Sequence, residues 1–425
     1  MALLAMDDQR FYSTFRKFVP LIDKKGALTF DFDENRAKRL QKELRTFKAF
    51  EAWAECPRLF ALLFMLRDGE GMAAQPVPEF KDDLLPFPNE AYLRTIDLVA
   101  EHEVKSLIHY QDSFLASSDA ANSLDHFKAA GHLPLLDGNA YFELEKKQLG
   151  ESKSAFIGRV THRRSNKVFV CKRFRRTTSD CKKKVDKSPS VTELFSNEKS
   201  NLLKLKDLQH LHLITYICAY TDKKHFALIF EPVAEDDLGN LFKKISNDHK
   251  DILHSESVWN HCKDTLQHSF GCLTSGVMHL HREKIRHRDI KPGNILIHDG
   301  KVIICDFGIA HDWSDSARDF TEGPVDAQTC KYSAPEVNKE WSRDPKADMW
   351  SLGCVFLEII TVLKQGTLSE LHKIFGAEQG NTKYNYCEHP ELISQWIEEL
   401  GKHNVFNEPL PWIAEMVRYR VVAFQ

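Results

Sequence analysis

The 425-residue chain carries no CxxC pair and none of the His/Cys spacings that hold zinc, so its 10 cysteines read as reduced thiols and not as a disulfide scaffold. No apolar run approaches the roughly 18 residues needed to cross a bilayer. The opening MALLAMDDQR turns acidic too soon for a secretory signal. Neither sign of charge prevails, since 58 Lys and Arg stand against 61 Asp and Glu, so no nucleic acid and no membrane surface is an expected partner. No internal repeat is present. What is there is an ordinary globular composition, 42% apolar, long enough for two or three compact domains. The expectation is a soluble intracellular protein, cytoplasmic with the nucleus as a second compartment, and Lys182 to Lys184 read as a solvated loop.

Residues 1–115 read as helical. Ala37, Leu40, Leu44, Phe47 and Phe50 fall on one helical face, with Arg36, Lys38, Arg39 and Lys42 turned away from it. Pro57 suits a first helical turn, and Leu59 to Leu66 is an apolar stretch closed by Gly69 and Gly71. Asn89 is placed to cap a third helix carrying Leu93, Ile96, Val99, Val104, Leu107 and Phe114. From 116 to 142 the chain is rich in Ser, Asp, Ala and Gly, the composition of a linker. Beyond it come short β-like runs, Lys167 to Lys172 and His225 to Phe230, and then a long helical pattern from Val258 to His281.

The strongest local signal is His287-Arg288-Asp289-Ile290-Lys291-Pro292-Gly293-Asn294, followed by Asp306-Phe307-Gly308 and then Ala334-Pro335-Glu336. In this order and spacing the three stretches resemble the catalytic core of the eukaryotic protein kinases. The resemblance implies an α+β, bilobal fold, with a small β-rich lobe over 143–231 and a larger α-helical lobe over 232–425 whose last helices are incomplete. An all-α domain of unknown role over 1–115 precedes them. The region after Asp348, through Trp396 and Pro409 to Trp412, resembles fungal kinases that carry a helical N-terminal extension, which also suits residues 1–115.

The same resemblance implies roles. Asp289 would take the proton of the substrate hydroxyl, and Lys291 would sit against the moving phosphoryl. Asn294 and Asp306 would supply hard oxygen ligands to magnesium. His287 and Phe307 would pack beneath the site, with Asp348 steadying the loop from below. A lysine two positions after the catalytic aspartate marks the serine/threonine class.

The nucleotide half is sought upstream. Lys172 ends the run Val168-Phe169-Val170-Cys171-Lys172 and would pair with the phosphates of ATP. Counting back places Gly150, Ser152 and Ala155 on the three positions of the glycine-rich loop, with Ile157 beyond, so two of those positions are not glycine. A non-glycine residue forced to positive φ costs roughly 1–2 kcal/mol, which would weaken the grip on nucleotide, whereas alanine and serine lying in ordinary β space would carry no such penalty. Asn166 then falls on a left-handed turn position. Val170, Glu231, Val233 and Leu296 would face the adenine, with Phe230 as gatekeeper. For the glutamate that pairs with Lys172, Glu198 is preferred and Glu193 is the fallback. Asp236 and Asp237 could bind ribose or cap a helix.

Ser314, Ser316 and Thr321 are candidate targets of an upstream kinase, with Arg288 placed to pair with a phosphate there. Thr329 matches the threonine that bridges the catalytic aspartate and lysine, and the stretch around it implies a protein substrate. The leading expectation is a serine/threonine protein kinase using ATP and Mg²⁺. The alternative is a weakly active or inactive pseudokinase that scaffolds partners through the helical domain.

Overall fold

The computed structural model describes residues 11–30, 32–69, 72, 82–95, 99–115, 123–151, 155–176, 190–206, 209–247, 256–312, 330–338, 345–365, 368–375, 384–403 and 406–418. Two compact units are present, one made of the chain through Lys199 together with Tyr216–Glu231, the other of Ser200–Thr215 together with the chain from Pro232 onward.

The first unit opens with helices. Asp33 caps α1 (Glu34–Leu44), its side chain accepting from the amide of Arg36, and a 3-10 segment, Lys48–Glu55, follows. Pro57 begins α2 (Pro57–Leu66), which is buried along nearly its whole length. A helix hydrophobic all round belongs in a core. Its own Phe60 and Phe64 meet Phe15 edge-on, and Phe60 also meets Phe50 and Trp53 edge-on. Gly69 ends the turn after α2 at φ +79, with a Cβ there falling 2.9 Å from the Tyr12 ring.

Where one third helix was expected, two form, α3 (Glu90–Thr95) and α4 (Val104–Tyr110), followed by a 3-10 turn, Gln111–Phe114. Asn89 does cap α3, accepting from the Tyr92 amide at 2.8 Å. The slip in spacing between Val99 and Val104 is the break.

The expected linker is not all linker. It carries α5 (Leu124–Ala130) and β1 (His132–Pro134), and β1 joins a sheet by pairing in parallel with the strand Thr215–Thr221. The cause is a few apolar residues hidden in a polar stretch. Phe127, Leu133 and Leu135 are fully or almost fully buried, and Phe127 packs edge-on to Phe142 at 5.2 Å.

The sheet has six strands: β1, β2 (Phe142–Glu151), β3 (Ala155–His162), β4 (Val168–Arg175), β5 (Thr215–Thr221) and β6 (His225–Glu231), in the order β1-β5-β6-β4-β3-β2. β6 is central and reads as a continuous apolar run because both its faces are buried. β2 is an edge, and Glu143, Glu145, Lys146 and Lys147 keep it from pairing further. Asn166 turns β3 into β4 at φ +53, the left-handed position expected of it. After β4 comes α6 (Val191–Lys206), opened by a capping box in which Ser190 Oγ accepts from the Glu193 amide and Glu193 accepts from that of Ser190.

The second unit is largely helical. β7 (Asp236–Asp237) leads to α7 (Leu238–Asn247), then α8 (Glu256–Arg282) and β8 (Ile285–Arg286). β9 (Ile295–His298) and β10 (Lys301–Ile304) form a hairpin, and β11 (His311–Asp312) pairs with β8. α9 (Pro335–Asn338), α10 (Pro345–Gln365), α11 (Ser369–Ile374), α12 (Pro390–Gly401) and α13 (Leu410–Arg418) complete it. α10 is the buried centre, with Leu352, Cys354, Val355, Leu357, Ile359 and Ile360 fully enclosed. Among the described residues no helix is long and apolar enough to cross a membrane.

Candidate active site

In the second unit the residues from His287 to Asn294 close on themselves. Lys291 Nζ lies 2.7 Å from Asp289 Oδ2, and Asn294 Nδ2 donates to that same oxygen at 2.9 Å and to the Asp289 carbonyl at 2.8 Å. With its amide nitrogen so engaged, Asn294 has only Oδ1 left to offer a cation. Asp289 is buried, and its Oδ1 has no hydrogen-bond partner among the described residues. A buried carboxylate oxygen without a donor is costly unless a ligand supplies one.

The loop is held from beneath by α10. Asp348 is 2% exposed. Its carboxylate accepts from the amides of His287 at 2.8 Å and Arg288 at 2.7 Å, and lies 2.9 Å from His281 Nε2. Two successive amides can converge on one carboxylate because Arg288 turns left-handed, at φ +68. For a non-glycine residue this costs roughly 1–2 kcal/mol, and such strain collects at functional sites. His287 Nε2 donates to the Cys305 carbonyl at 3.0 Å, which leaves Nδ1 to accept from the Asp289 amide. The His287 ring also meets Phe307 at 4.9 Å, both residues being fully buried.

Asp306 sits at the mouth of the β9–β10 hairpin. Ile295 pairs with Ile304, and the Cys305 amide donates to the Asn294 carbonyl at 3.0 Å, so Asn294 and Asp306 leave the same end of that hairpin. Asp306 is exposed and, like Arg288, left-handed at φ +68. The two candidate metal ligands are therefore neighbours by construction, one an amide oxygen and one a carboxylate, a donor set that suits magnesium. Asn201, on the part of α6 that belongs to this unit, donates to the Phe307 and Ala310 carbonyls at 3.1 and 2.8 Å.

The first unit holds the upstream residues. Lys172 Nζ reaches both carboxylate oxygens of Glu198 at 2.8 and 2.9 Å. Glu198 is 3% exposed, whereas Glu193 is occupied in the capping box of α6. Ile157, Lys172 and Leu228 stand directly opposite one another on β3, β4 and β6, and Gly150 on β2 faces Ile157. Ala155 and Val170, two residues from this row, share its face of the pleated sheet. Ala155 lies in extended β3 with no positive φ, so the backbone penalty expected from losing a glycine does not arise there. A Cβ at Gly150 would meet nothing within 4 Å. Ser152 lies outside the described residues.

Glu231 ends β6, and Phe230 is buried opposite Val170. Val233 and Leu296 belong to the second unit, where Leu296 on β9 pairs with Asp237 and Ile303. Asp237 proves to be a helix cap, its Oδ1 accepting from the Asn240 amide at 2.9 Å, while Asp236 pairs with Lys244. Ser314, Ser316, Thr321 and Thr329 lie outside the described residues.

Sequence reasoning missed Glu358. It is 1% exposed on α10 and accepts from Lys331 Nζ at 2.8 Å, from the Tyr332 hydroxyl at 3.0 Å and from the Tyr386 hydroxyl at 2.8 Å. Burial works against the Lys331 ammonium, but Glu358 holds its pKa above the ordinary lysine value. The pair fastens the stretch before Ala334 to the core helix. A lone acid inside Val355-Phe356-Leu357-Glu358-Ile359-Ile360 was the available signal.

The family model described as protein kinase domain matches residues 144–401. Among curated proteins, the chain is 27% identical over 290 residues to a probable serine/threonine-protein kinase nek2 of Dictyostelium discoideum, covering 65% of this chain and 62% of that one. It is 35% identical over 178 residues to cyclin-dependent kinase 2 of Caenorhabditis elegans, covering 40% and 45%. With the serine/threonine-protein kinase CLA4 of Candida albicans it shares 31% identity over 213 residues, 49% of this chain and 20% of the relative. The chain thus spans between 20% and 62% of the length of these relatives.

Proposed function

Since the chain belongs to the protein kinase domain family, we propose that it transfers the γ-phosphoryl of ATP to serine or threonine hydroxyls of a protein substrate, with magnesium assisting. The observation that carries this reading is the state of Asp289, one oxygen committed to Lys291 and Asn294 and the other buried and open. That open oxygen accepts a hydrogen bond from the substrate hydroxyl and takes up its proton as the new O–P bond forms and the bond from the γ-phosphorus to the bridging oxygen breaks, releasing ADP. Lys291 sets its positive charge beside the moving phosphoryl. Asn294 Oδ1 and Asp306 would hold the metal, and bound magnesium would neutralise charge on the phosphate oxygens. Lys172, fixed by Glu198, would supply its charge to the nucleotide phosphates, and Ile157, Val170 and Glu231 of the first unit would face the base.

The serine/threonine preference is supported by Lys291 and by the names of the relatives. An upstream kinase acting on Ser314, Ser316 or Thr321 would give Arg288 a phosphate partner. The pseudokinase reading is the weaker one, because Lys172, Glu198, Asp289, Lys291, Asn294 and Asp306 are all in place.

A thermal-shift titration with Mg-ATP tests the proposal. At 100 times its dissociation constant a ligand stabilises by about 2.7 kcal/mol, so the melting temperature should climb with Mg-ATP. Asp306→Ala should keep the fold and lose transfer to peptide. Flat melting curves across millimolar Mg-ATP would favour the scaffold, and undiminished turnover in Asp306→Ala would refute the metal assignment.

A further inference from the structure

The kinase reading gives the Lys172–Glu198 pair its task, but nothing in that reading explains what the preceding helical region does. One short segment of that region, residues 82–86, reaches both the strand that carries Lys172 and the helix that carries Glu198.

Asp82 and Asp83 share one 3-10 turn, Asp82–Leu84. Asp82 faces back into the helical core, where its two oxygens accept from the amides of Arg58 and Leu59 at 3.0 Å each, in the first turn of α2. The α2 N-cap residue, Cys56, makes no side-chain cap, so Asp82 supplies one from a distance. Arg58, the residue so held, runs on to the Phe114 carbonyl at 2.7 Å and to Glu34. The turn is thereby tied to the most deeply buried helix of the region.

Asp83 faces the other way. It pairs with Lys199 of α6 and lies 2.9 Å from His132 Nδ1 on β1. Burial opposes its charge, yet His132 and Lys199 hold its carboxyl well below the usual carboxylate range. Lys199 follows Glu198 directly, so one residue of the helix is held from the helical region and its neighbour reaches Lys172. About one turn earlier on the helix, Phe195 seats α6 on the sheet, stacked on Phe226 at 4.8 Å.

The next residues of the segment take hold of the strand. Arg176, immediately after β4, donates to the carbonyls of Leu84 at 2.8 Å, Pro86 at 2.5 Å and Asp222 at 2.7 Å. It is buried with its guanidinium over the Phe226 ring at 4.5 Å and the Tyr92 ring at 5.2 Å. β4 carries Lys172.

We propose that residues 82–86 are a brace, built by the helical region, that fixes α6 through Asp83–Lys199 and β4 through Arg176 and so positions the Lys172–Glu198 pair for phosphoryl transfer. Asp83 is on this account a positioning residue that acts through Glu198. It touches neither nucleotide nor substrate. The helical region thus acts as a built-in activator of the domain that follows it.

The test is a double-mutant cycle on the full 425-residue chain, reading kcat and KM for Mg-ATP and a peptide substrate. Asp83→Asn should lower kcat by about fivefold or more, the lower end of ordinary coupling between sites, and Lys199→Met should do the same. In a Glu198→Gln background, Asp83→Asn should change kcat hardly at all. A residue that merely supported the fold would lower kcat by the same factor in both backgrounds, and that result overturns the proposal, as does an unchanged kcat in Asp83→Asn.

Hydrogen exchange judges the brace without any turnover. Amides of 191–206 should exchange faster in Asp83→Asn while those of 225–231 stay protected. Equal rates in variant and wild type would overturn it. Absence of transfer by the wild type would bear on the kinase reading alone and leave the exchange result to decide the brace.

Discussion

Lys291 and Asp289 stand two positions apart and meet at 2.7 Å within one loop, whereas Lys172 and Glu198 meet at 2.8 Å from a strand and a helix 26 positions apart. The first pair needs only its loop and the Asp348 carboxylate beneath it. The second needs the register of β3, β4 and β6, the docking of α6, and the contacts of residues 82–86. One pair is therefore vulnerable only close by, and the other from a distance.

Substitutions can break that contrast in order of size. The largest effect belongs to the local pair: Asp289→Asn should lower turnover by about 10²–10⁴-fold, the usual range for losing a general base, with the melting temperature little changed. A peptide-phosphorylation assay at saturating Mg-ATP reads this. Lys172→Met comes next, at about 10²-fold in kcat, as for removal of one preorganised electrostatic group. Unlike Asp289→Asn it should also raise KM for ATP.

Asp348→Asn moves the comparison from chemistry to stability. The charged acceptor shared by the His287 and Arg288 amides is lost, at a cost of about 1.5–3 kcal/mol. Urea denaturation should show it, and kcat should fall with it because the loop loses its shape.

The last effect, on stability alone, lies on the far side of the brace. Burial pushes the Asp82 carboxyl up to about 6 against an ordinary 3.8. A folded-state pKa above the unfolded value favours folding in the protonated form. Its stabilising contribution is complete below the unfolded pKa and is lost as pH rises through the folded one. Asp82→Asn cannot titrate, so the wild type should melt at progressively lower temperature relative to that variant as pH is raised from about 4 to about 7.

Much of this contrast was written in the sequence. The stretch from His287 to Asn294 is contiguous, and its side chains answer one another directly, so its resemblance to the kinase motif carried over position by position. Lys172 was found by the β-like run it ends and Glu198 by the helical face of Leu202 and Leu205, because both elements keep a clear period. The rest depended on sparse contacts between distant segments. Phe127, Leu133 and Leu135 turned an apparent linker into part of the sheet core, and their small number was diluted by polar neighbours. The third helix broke in two because a spacing error of one residue shifts a side chain by about 100° around the axis. Asp83 and Arg176 gave no signal at all, since nothing in a lone acid or a lone arginine names a partner elsewhere in the chain.

Incubation of the full chain with labelled Mg-ATP and matched peptides bearing serine, threonine or tyrosine tests the central claim most directly. The account predicts label on the serine and threonine peptides and none on tyrosine. Label on none of them, with a melting temperature that Mg-ATP does not move, would contradict it.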